Sequence, residues 1–128
     1  MLNLKNPISI LLVEDNVLNQ KLLYFNFKKL GFEIKIVNNG FEAVEVYTKN
    51  FYDVILMDIM MPKLDGYQTT ERIREIEQTT GNHSFIIGLT SNVYDSDKES
   101  CLACGMNDFM SKPFDIDVFT KIISANFT

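Results

Sequence analysis

Apolar residues follow two alternating rhythms along the chain. Short runs rich in β-branched and aromatic residues occupy positions 8–13 (ISILLV), 33–37 (EIKIV), 53–57 (DVILM), 85–89 (FIIGL) and 108–111 (DFMS). The first, third and fourth are nearly continuous, as expected of strands covered by helices on both faces. The segments between and after them carry helical spacing and predict helices over 17–30, 41–49, 66–79, 96–104 and 116–126. Asn39 with Glu42, Asp65 with Gln68 and Ser96 with Glu99 stand at capping-box spacing. Gly31 and Gly105 suit the left-handed position just past a helix end. Within the first helix, Leu23, Phe27 and Leu30 form the expected core stripe. The order βαβαβαβαβα, without repeat or linker, predicts an α/β fold with one parallel sheet between helical layers and right-handed crossovers.

Composition narrows the function classes. With 128 residues the chain is one domain's worth, and surface scaling buries roughly two-thirds of the extended chain's area, so the core needs no disulfide or metal staple. The balance of 12 Lys+Arg against 17 Asp+Glu gives a net charge of -5, a poor match to nucleic acid, whose phosphates call for clustered cations. No apolar run approaches the length of a membrane span, and residues 1–7 lack the apolar stretch of a signal peptide. Cys101 and Cys104 form a single CxxC inside a helical pattern, with His83 too far along the chain to complete a zinc set. They read as helix cysteines of a reducing compartment rather than a redox pair.

In parallel α/β sheets ligands bind beyond the carboxyl ends of the strands, so the residues just after each strand carry the chemistry. Glu14 and Asp15 follow the first strand and Asp58 ends the third. Thr90 and Ser91 follow the fourth, and Lys112 and Pro113 the fifth. Three carboxylates gathered at one rim repel one another, and a divalent cation relieves that repulsion. All-oxygen ligands with open positions suit Mg²⁺, and a hydroxyl and an ammonium aimed at the same point suit a tetrahedral oxyanion. Polar loops also end strands for no chemical reason, but here every functional group falls on the same rim.

The motifs LLVEDN (11–16), VILMDIMMPKLDGY (54–67), GLTSN (88–92) and CGMNDFMSKPF (104–114) resemble the receiver domain of two-component response regulators, most of all receivers of hybrid sensor histidine kinases. The resemblance runs from about 8 to 127 and implies a single receiver domain over 1–128. The implied fold is (βα)5, doubly wound and flavodoxin-like, with a five-stranded parallel sheet in the order 2-1-3-4-5. It implies a phosphoacceptor, not an enzyme acting on outside substrates, that takes a phosphoryl group on Asp58 from a phosphohistidine donor and switches conformation. Mg²⁺ or Mn²⁺ would be held by Asp15, Asp58 and the Met60 carbonyl, with Glu14 acting through water. Lys112 would pair with a phosphoryl oxygen, aimed by a cis bond to Pro113, and Thr90 and the Ser91 N–H would donate to the others. The Met60 side chain and Asn92 would overhang the phosphoryl group and tune its hydrolysis. Ser91 and Gly88 stand where alanine is commoner, and Gly88 is expected to do no more than thin the packing.

Two features keep two readings each. Phe109 is either the family's aromatic switch, moving when Thr90 moves, or a plain surface aromatic. Leu18, Leu22 and Phe25 follow i, i+4, i+7 spacing and either dock the donor together with Pro113 or widen the core stripe. The implied partners are a histidine kinase or a histidine phosphotransfer protein, with a fused kinase or output domain as the wider setting. Neither nucleic acid nor membrane is contacted by the domain itself, and its expected location is the cytoplasm or the cytoplasmic part of a membrane sensor kinase. A degenerate receiver that serves only as an interaction module is the alternative, but it usually lacks an acid or the lysine. A phosphohydrolase on a similar sheet needs a second acid where Met60 stands. Dinucleotide binding lacks its glycine motif.

Overall fold

The computed structural model describes residues 8–91 and 95–127, the side chains of 95–97 excepted. In chain order the elements are β1 (Ser9–Val13), α1 (Val17–Lys29), β2 (Glu33–Val37), α2 (Gly40–Lys49), β3 (Val54–Asp58), α3 (Gly66–Thr80), β4 (Phe85–Thr90), α4 (Asp95–Ala103), β5 (Asp108–Ser111) and α5 (Ile116–Phe127). All neighbouring strands pair in parallel, in the order β2-β1-β3-β4-β5. The fold class read from the sequence is the fold observed.

Alternation along the central strands divides the interior into two cores. Ile10, Leu12, Val54, Leu56, Ile87 and Leu89 point to one face, where Leu23 and Phe27 of α1 and Phe119 and Ile123 of α5 cover them. Leu11, Val13, Ile55, Met57 and Ile86 point to the other, beneath Ala43, Tyr47, Ile73 and Cys101 of α2, α3 and α4. Each central strand is thus buried on both sides, which is why its sequence reads as an unbroken apolar run. The first core holds edge-to-face rings, with Phe27 centred 5.0 Å from Phe119 and 5.3 Å from Phe114.

The ends of the elements follow the expected chemistry with local differences. Asp65 and Gln68 form a full capping box at α3, and the Asn39 side chain caps α2 by accepting from the Glu42 N–H. The Glu42 carboxylate turns instead to the Asn38 N–H, so that cap is one-sided. The Ser96 cap lies outside the described side chains, and α4 begins at Asp95. Gly31 and Gly105 take φ of 81° and 111°, as their places past α1 and α4 require.

Leu30 departs from the predicted core stripe. It is the C-cap of α1 and is exposed. The Gly31 N–H returns to the Lys28 carbonyl and the Phe32 N–H to the Phe27 carbonyl, so the chain turns at Leu30 and Phe32 packs on Phe27 in its place. Gly88 also corrects an expectation. A Cβ there would lie 2.6 Å from the Met106 sulfur, so the space is filled by methionine rather than thinned.

Candidate functional site

Three features set the site at the carboxyl edge of the sheet. Asp58 is the last residue of β3, and its neighbour Ile59 continues the ladder by donating to the Leu89 carbonyl at 3.1 Å. Gly66 opens α3 against that same turn: its N–H donates to the Ile59 carbonyl at 3.0 Å, and a Cβ would lie 2.6 Å from the Asp58 carbonyl oxygen. Only glycine lets the helix start this close. The strand bounds differ slightly from those expected, because Asp53 stays outside β3 and accepts from the N–H and hydroxyl of Ser9 at 3.0 and 3.1 Å.

The carboxylates of Glu14, Asp15 and Asp58 each place an oxygen within 4.8 Å of the others. Glu14 and Asp58 are 1% exposed, whereas Asp15 is open to solvent. Like charges at that separation repel by roughly 3 kcal/mol at an effective dielectric of about 20. Burial, followed by the nearby Asp58 charge, pushes the Glu14 carboxyl above its ordinary value of 4.5. Lys112 supplies the balancing charge, with its ammonium 2.8 Å from Asp58 Oδ1. The Met60 N–H donates to the same oxygen at 3.2 Å. Three acids against one lysine, all donors oxygen and one acid facing solvent, fit a hydrated divalent cation of the Mg²⁺ type.

Thr90, Ser91, Lys112 and Pro113 stand at the same carboxyl end of the sheet. Thr90 ends β4 and is buried, its carbonyl accepting from the Lys112 N–H at 2.7 Å, and Ser91 beside it is exposed. The Lys112–Pro113 bond is cis and Pro113 is exposed. Met60 sends its side chain into solvent at 72% exposure. Phe109 is half-buried against the second core, and the Lys98 ammonium stands 5.7 Å from its ring centroid. Asn92 lies outside the described residues. Leu18, Leu22 and Phe25 are 77%, 57% and 60% exposed, so they do not widen the core stripe. Cys104 donates its thiol to the Cys101 carbonyl, and burial pushes that thiol above its usual range, the opposite of a redox thiolate.

Three residues at the site carry no assigned role in the sequence reading. The Asn16 N–H and the Asn19 amide donate to Glu14 Oε1 at 3.1 and 3.4 Å, and Gln20 donates to the Glu14 carbonyl at 2.6 Å. They hold the buried acid in place. Their signal was present in the run EDNVLNQ: a helix beginning at residue 17 brings positions 19 and 20 back over residue 14.

Comparison with known proteins gives this geometry a family. The family model described as response regulator receiver domain matches residues 10–124. Hybrid signal transduction histidine kinase B of Dictyostelium discoideum is 43% identical over 127 residues, covering 91% of this chain and 6% of that protein. Across the most similar curated relatives, the chain spans between 6% and 12% of their length. Among solved structures, the receiver domain of sensor histidine kinase PA1611 from Pseudomonas aeruginosa, with magnesium in its active-site cleft, matches with a TM-score of 0.83 and 40% identity, over 94% of this chain and 97% of that one. The Saccharomyces cerevisiae co-crystal of the phosphotransfer protein Ypd1 with the receiver domain of Ssk1 matches with a TM-score of 0.86 and 32% identity, over 92% of this chain and 87% of that one. With the strand order, the acidic rim and the match over most of its length in agreement, the chain belongs to the receiver domains of two-component response regulators.

Proposed function

We propose that this receiver domain accepts a phosphoryl group on Asp58 from a phosphohistidine donor, in a reaction that needs Mg²⁺ or a similar ion such as Mn²⁺. The observation that carries the proposal is the buried Asp58 carboxylate, with Lys112 at 2.8 Å and Glu14 and Asp15 close by. A lone pair on the Asp58 carboxylate forms the new P–O bond as the P–N bond of the donor breaks. The electron pair of that bond stays on the donor imidazole, which leaves neutral when its other nitrogen carries a proton. Such transfers depend mainly on positioning and charge neutralisation. A bound divalent cation, held by Asp15, Asp58 and the Met60 carbonyl with Glu14 acting through water, would neutralise charge on the phosphoryl oxygens.

The other roles follow from position. Lys112 offers its ammonium to a phosphoryl oxygen once Asp58 has become an acyl phosphate, and the Thr90 hydroxyl and Ser91 N–H offer donors from the end of β4. Movement of Thr90 toward the new charge frees space beside Phe109, so a local charge event biases a packing element on β5. Leu18, Leu22, Phe25 and Pro113 form the face that meets a histidine kinase or histidine phosphotransfer protein. The magnesium-bound relative supports the cation, and the co-crystal with a phosphotransfer protein supports the partner class. Placement within a hybrid histidine kinase is the proposed setting, given relatives of that kind. The cytoplasm is the proposed location, consistent with Cys101 and Cys104 standing as thiols rather than in a disulfide.

Transfer from a purified phosphohistidine domain tests the proposal. Label is expected to pass to this chain with Mg²⁺ and to stop with a chelator. Equal transfer under both conditions overturns the cation's part in it.

A further inference from the structure

The run EDNVLNQ ends in a glutamine that the phosphoryl chemistry leaves unused. Gln20 stands near the start of α1, and its backbone N–H bonds to the Asn16 carbonyl at 3.0 Å. Its side-chain amide donates twice, to the Glu14 carbonyl at 2.6 Å and to Asn38 Oδ1 at 2.8 Å. Asn38 lies in the turn between β2 and α2, where its N–H and its side-chain amide both donate to Glu42 Oε1, at 2.9 and 3.2 Å. One side chain thus ties the acids after β1 to the start of α2.

We propose that Gln20 is a positioning residue for the divalent cation: it fixes the Glu14–Asp15 peptide from which the exposed ligand Asp15 projects, and Asn38 acts through it. The inference rests on the cation reading above and names what sets the geometry of that ligand. Asp58 is buried, and Lys112 and the Met60 N–H hold its Oδ1. Asp15 is exposed, and among the described residues its side chain makes no hydrogen bond or ion pair. Its place therefore comes from its backbone. A peptide unit is planar, so a bond to the carbonyl oxygen of the unit between Glu14 and Asp15 orients the whole unit. Gln20 makes that bond. The unit before it is held by the Glu14 N–H donating to the Val37 carbonyl at 3.2 Å, and the unit after it by the Asn16 N–H donating to Glu14 Oε1 at 3.1 Å.

The chemistry of the two acceptors selects an amide. The Glu14 carbonyl and Asn38 Oδ1 both need a donor, and the NH₂ group of one glutamine serves both. A lysine could also donate twice, but its positive charge would stand beside the cation and repel it. A carboxylate has nothing to donate. Glutamine is a long side chain with freedom to lose, and the second bond, to Asn38, restricts it where the first is made. Mg²⁺ demands near-octahedral geometry, so it is sensitive to small displacements of a ligand. Residues that orient a metal ligand by hydrogen bonds typically carry about 10–100-fold in metal affinity.

The test measures Mg²⁺ binding to the full chain by titration calorimetry, with the urea midpoint in chelator as a separate reading of folding. Gln20→Met keeps the length of the side chain and removes both donors. It is expected to raise the Kd for Mg²⁺ by about tenfold or more. Asn38→Ala, which removes only the tie that steadies Gln20, is expected to raise it about two- to fivefold, the scale of one hydrogen bond. In the Gln20→Met background it should add nothing. Asp15→Asn, which alters the ligand itself, should lose binding. Should Gln20→Met fail to fold, Asn38→Ala decides the matter alone. A wild-type Kd in these two variants, whatever their urea midpoints, would make Gln20 a structural residue only and overturn the inference. Losses that add in the double variant would overturn the part given to Asn38. If the wild-type chain binds no Mg²⁺, or Asp15→Asn binds it equally well, the cation reading fails and this inference with it.

Discussion

Replacing Gly66 with alanine tests how the site is built. The added Cβ would lie 2.6 Å from the Asp58 carbonyl oxygen, 2.8 Å from the Ile59 Cα and 3.1 Å from the Asp58 carbonyl carbon. All three neighbours are backbone, and ordinary non-bonded contact lies near 3.5–4.0 Å, so something must move by roughly 0.7–1 Å. The turn cannot yield freely, because Ile59 is tied to Leu89 on one side and to Gly66 on the other. Overpacking of this kind costs about 1–3 kcal/mol, and rigid walls place it at the upper end. Alanine returns about 0.5–1 kcal/mol by restricting the unfolded chain. The net expectation is about 2 kcal/mol of destabilisation, read as a lower urea midpoint at unchanged slope. Gly88 is the control. Its Cβ would also come within 2.6 Å of a neighbour, but that neighbour is the Met106 sulfur, which can swing away. Gly88→Ala should therefore stay within about 1 kcal/mol of the wild-type chain. Displacing the Asp58 turn should in addition weaken Mg²⁺ binding in Gly66→Ala but leave it intact in Gly88→Ala. Gly66→Ala within about 0.5 kcal/mol of wild type, or Gly88→Ala the costlier of the two, would show that the Asp58 turn is not held rigidly against α3.

Two further predictions concern charge. Lys112→Met leaves Asp58 buried beside Glu14 without its cation; stranding a buried charge costs about 3–5 kcal/mol, lowered here to about 2–3 because the Lys112 side chain is 28% exposed. Mg²⁺ should then raise the Tm of the variant more than that of the wild-type chain, and an equal or smaller rise would count against the site's charge balance. Glu77, far from the site, accepts from the Tyr47 hydroxyl at 2.6 Å, the Ser84 N–H at 2.7 Å and Arg74 at 2.7 Å. Burial would raise its carboxyl, but the bonds from Tyr47, Arg74 and Ser84 outweigh that and hold it below its ordinary value of 4.5. A depressed carboxylate contributes stability that is present above 4.5 and lost as pH falls through the lower, folded value. Glu77→Gln should cost about 2–3 kcal/mol in urea unfolding near neutral pH and progressively less as pH is taken below 4.5. An equal cost across that range would show that the charge is not what holds the network.

The sequence carried the fold because its central strands are covered on both faces and because polar side chains cap the helices, both of which leave local traces. The chemistry of the strand ends was legible for a related reason: Glu14, Asp15, Asp58, Thr90 and Lys112 need only their strands in the right order to meet. Features that depend on distant partners were not legible. The space at Gly88 is filled by a residue 18 positions later, which no local pattern announces. Leu30 kept the helical spacing and left the core because the turn at Gly31 hands its place to Phe32. Nothing local marks Glu77 as buried, because its partners come from α2 and from the segment before β4.

Peptide mapping of the acetyl phosphate-treated chain tests the central claim most directly. With Mg²⁺ present, a single phosphoryl adduct is expected on the peptide containing Asp58, absent with chelator and absent from Asp58→Asn. An adduct that survives Asp58→Asn, or that maps to another residue of the wild-type chain, would contradict it.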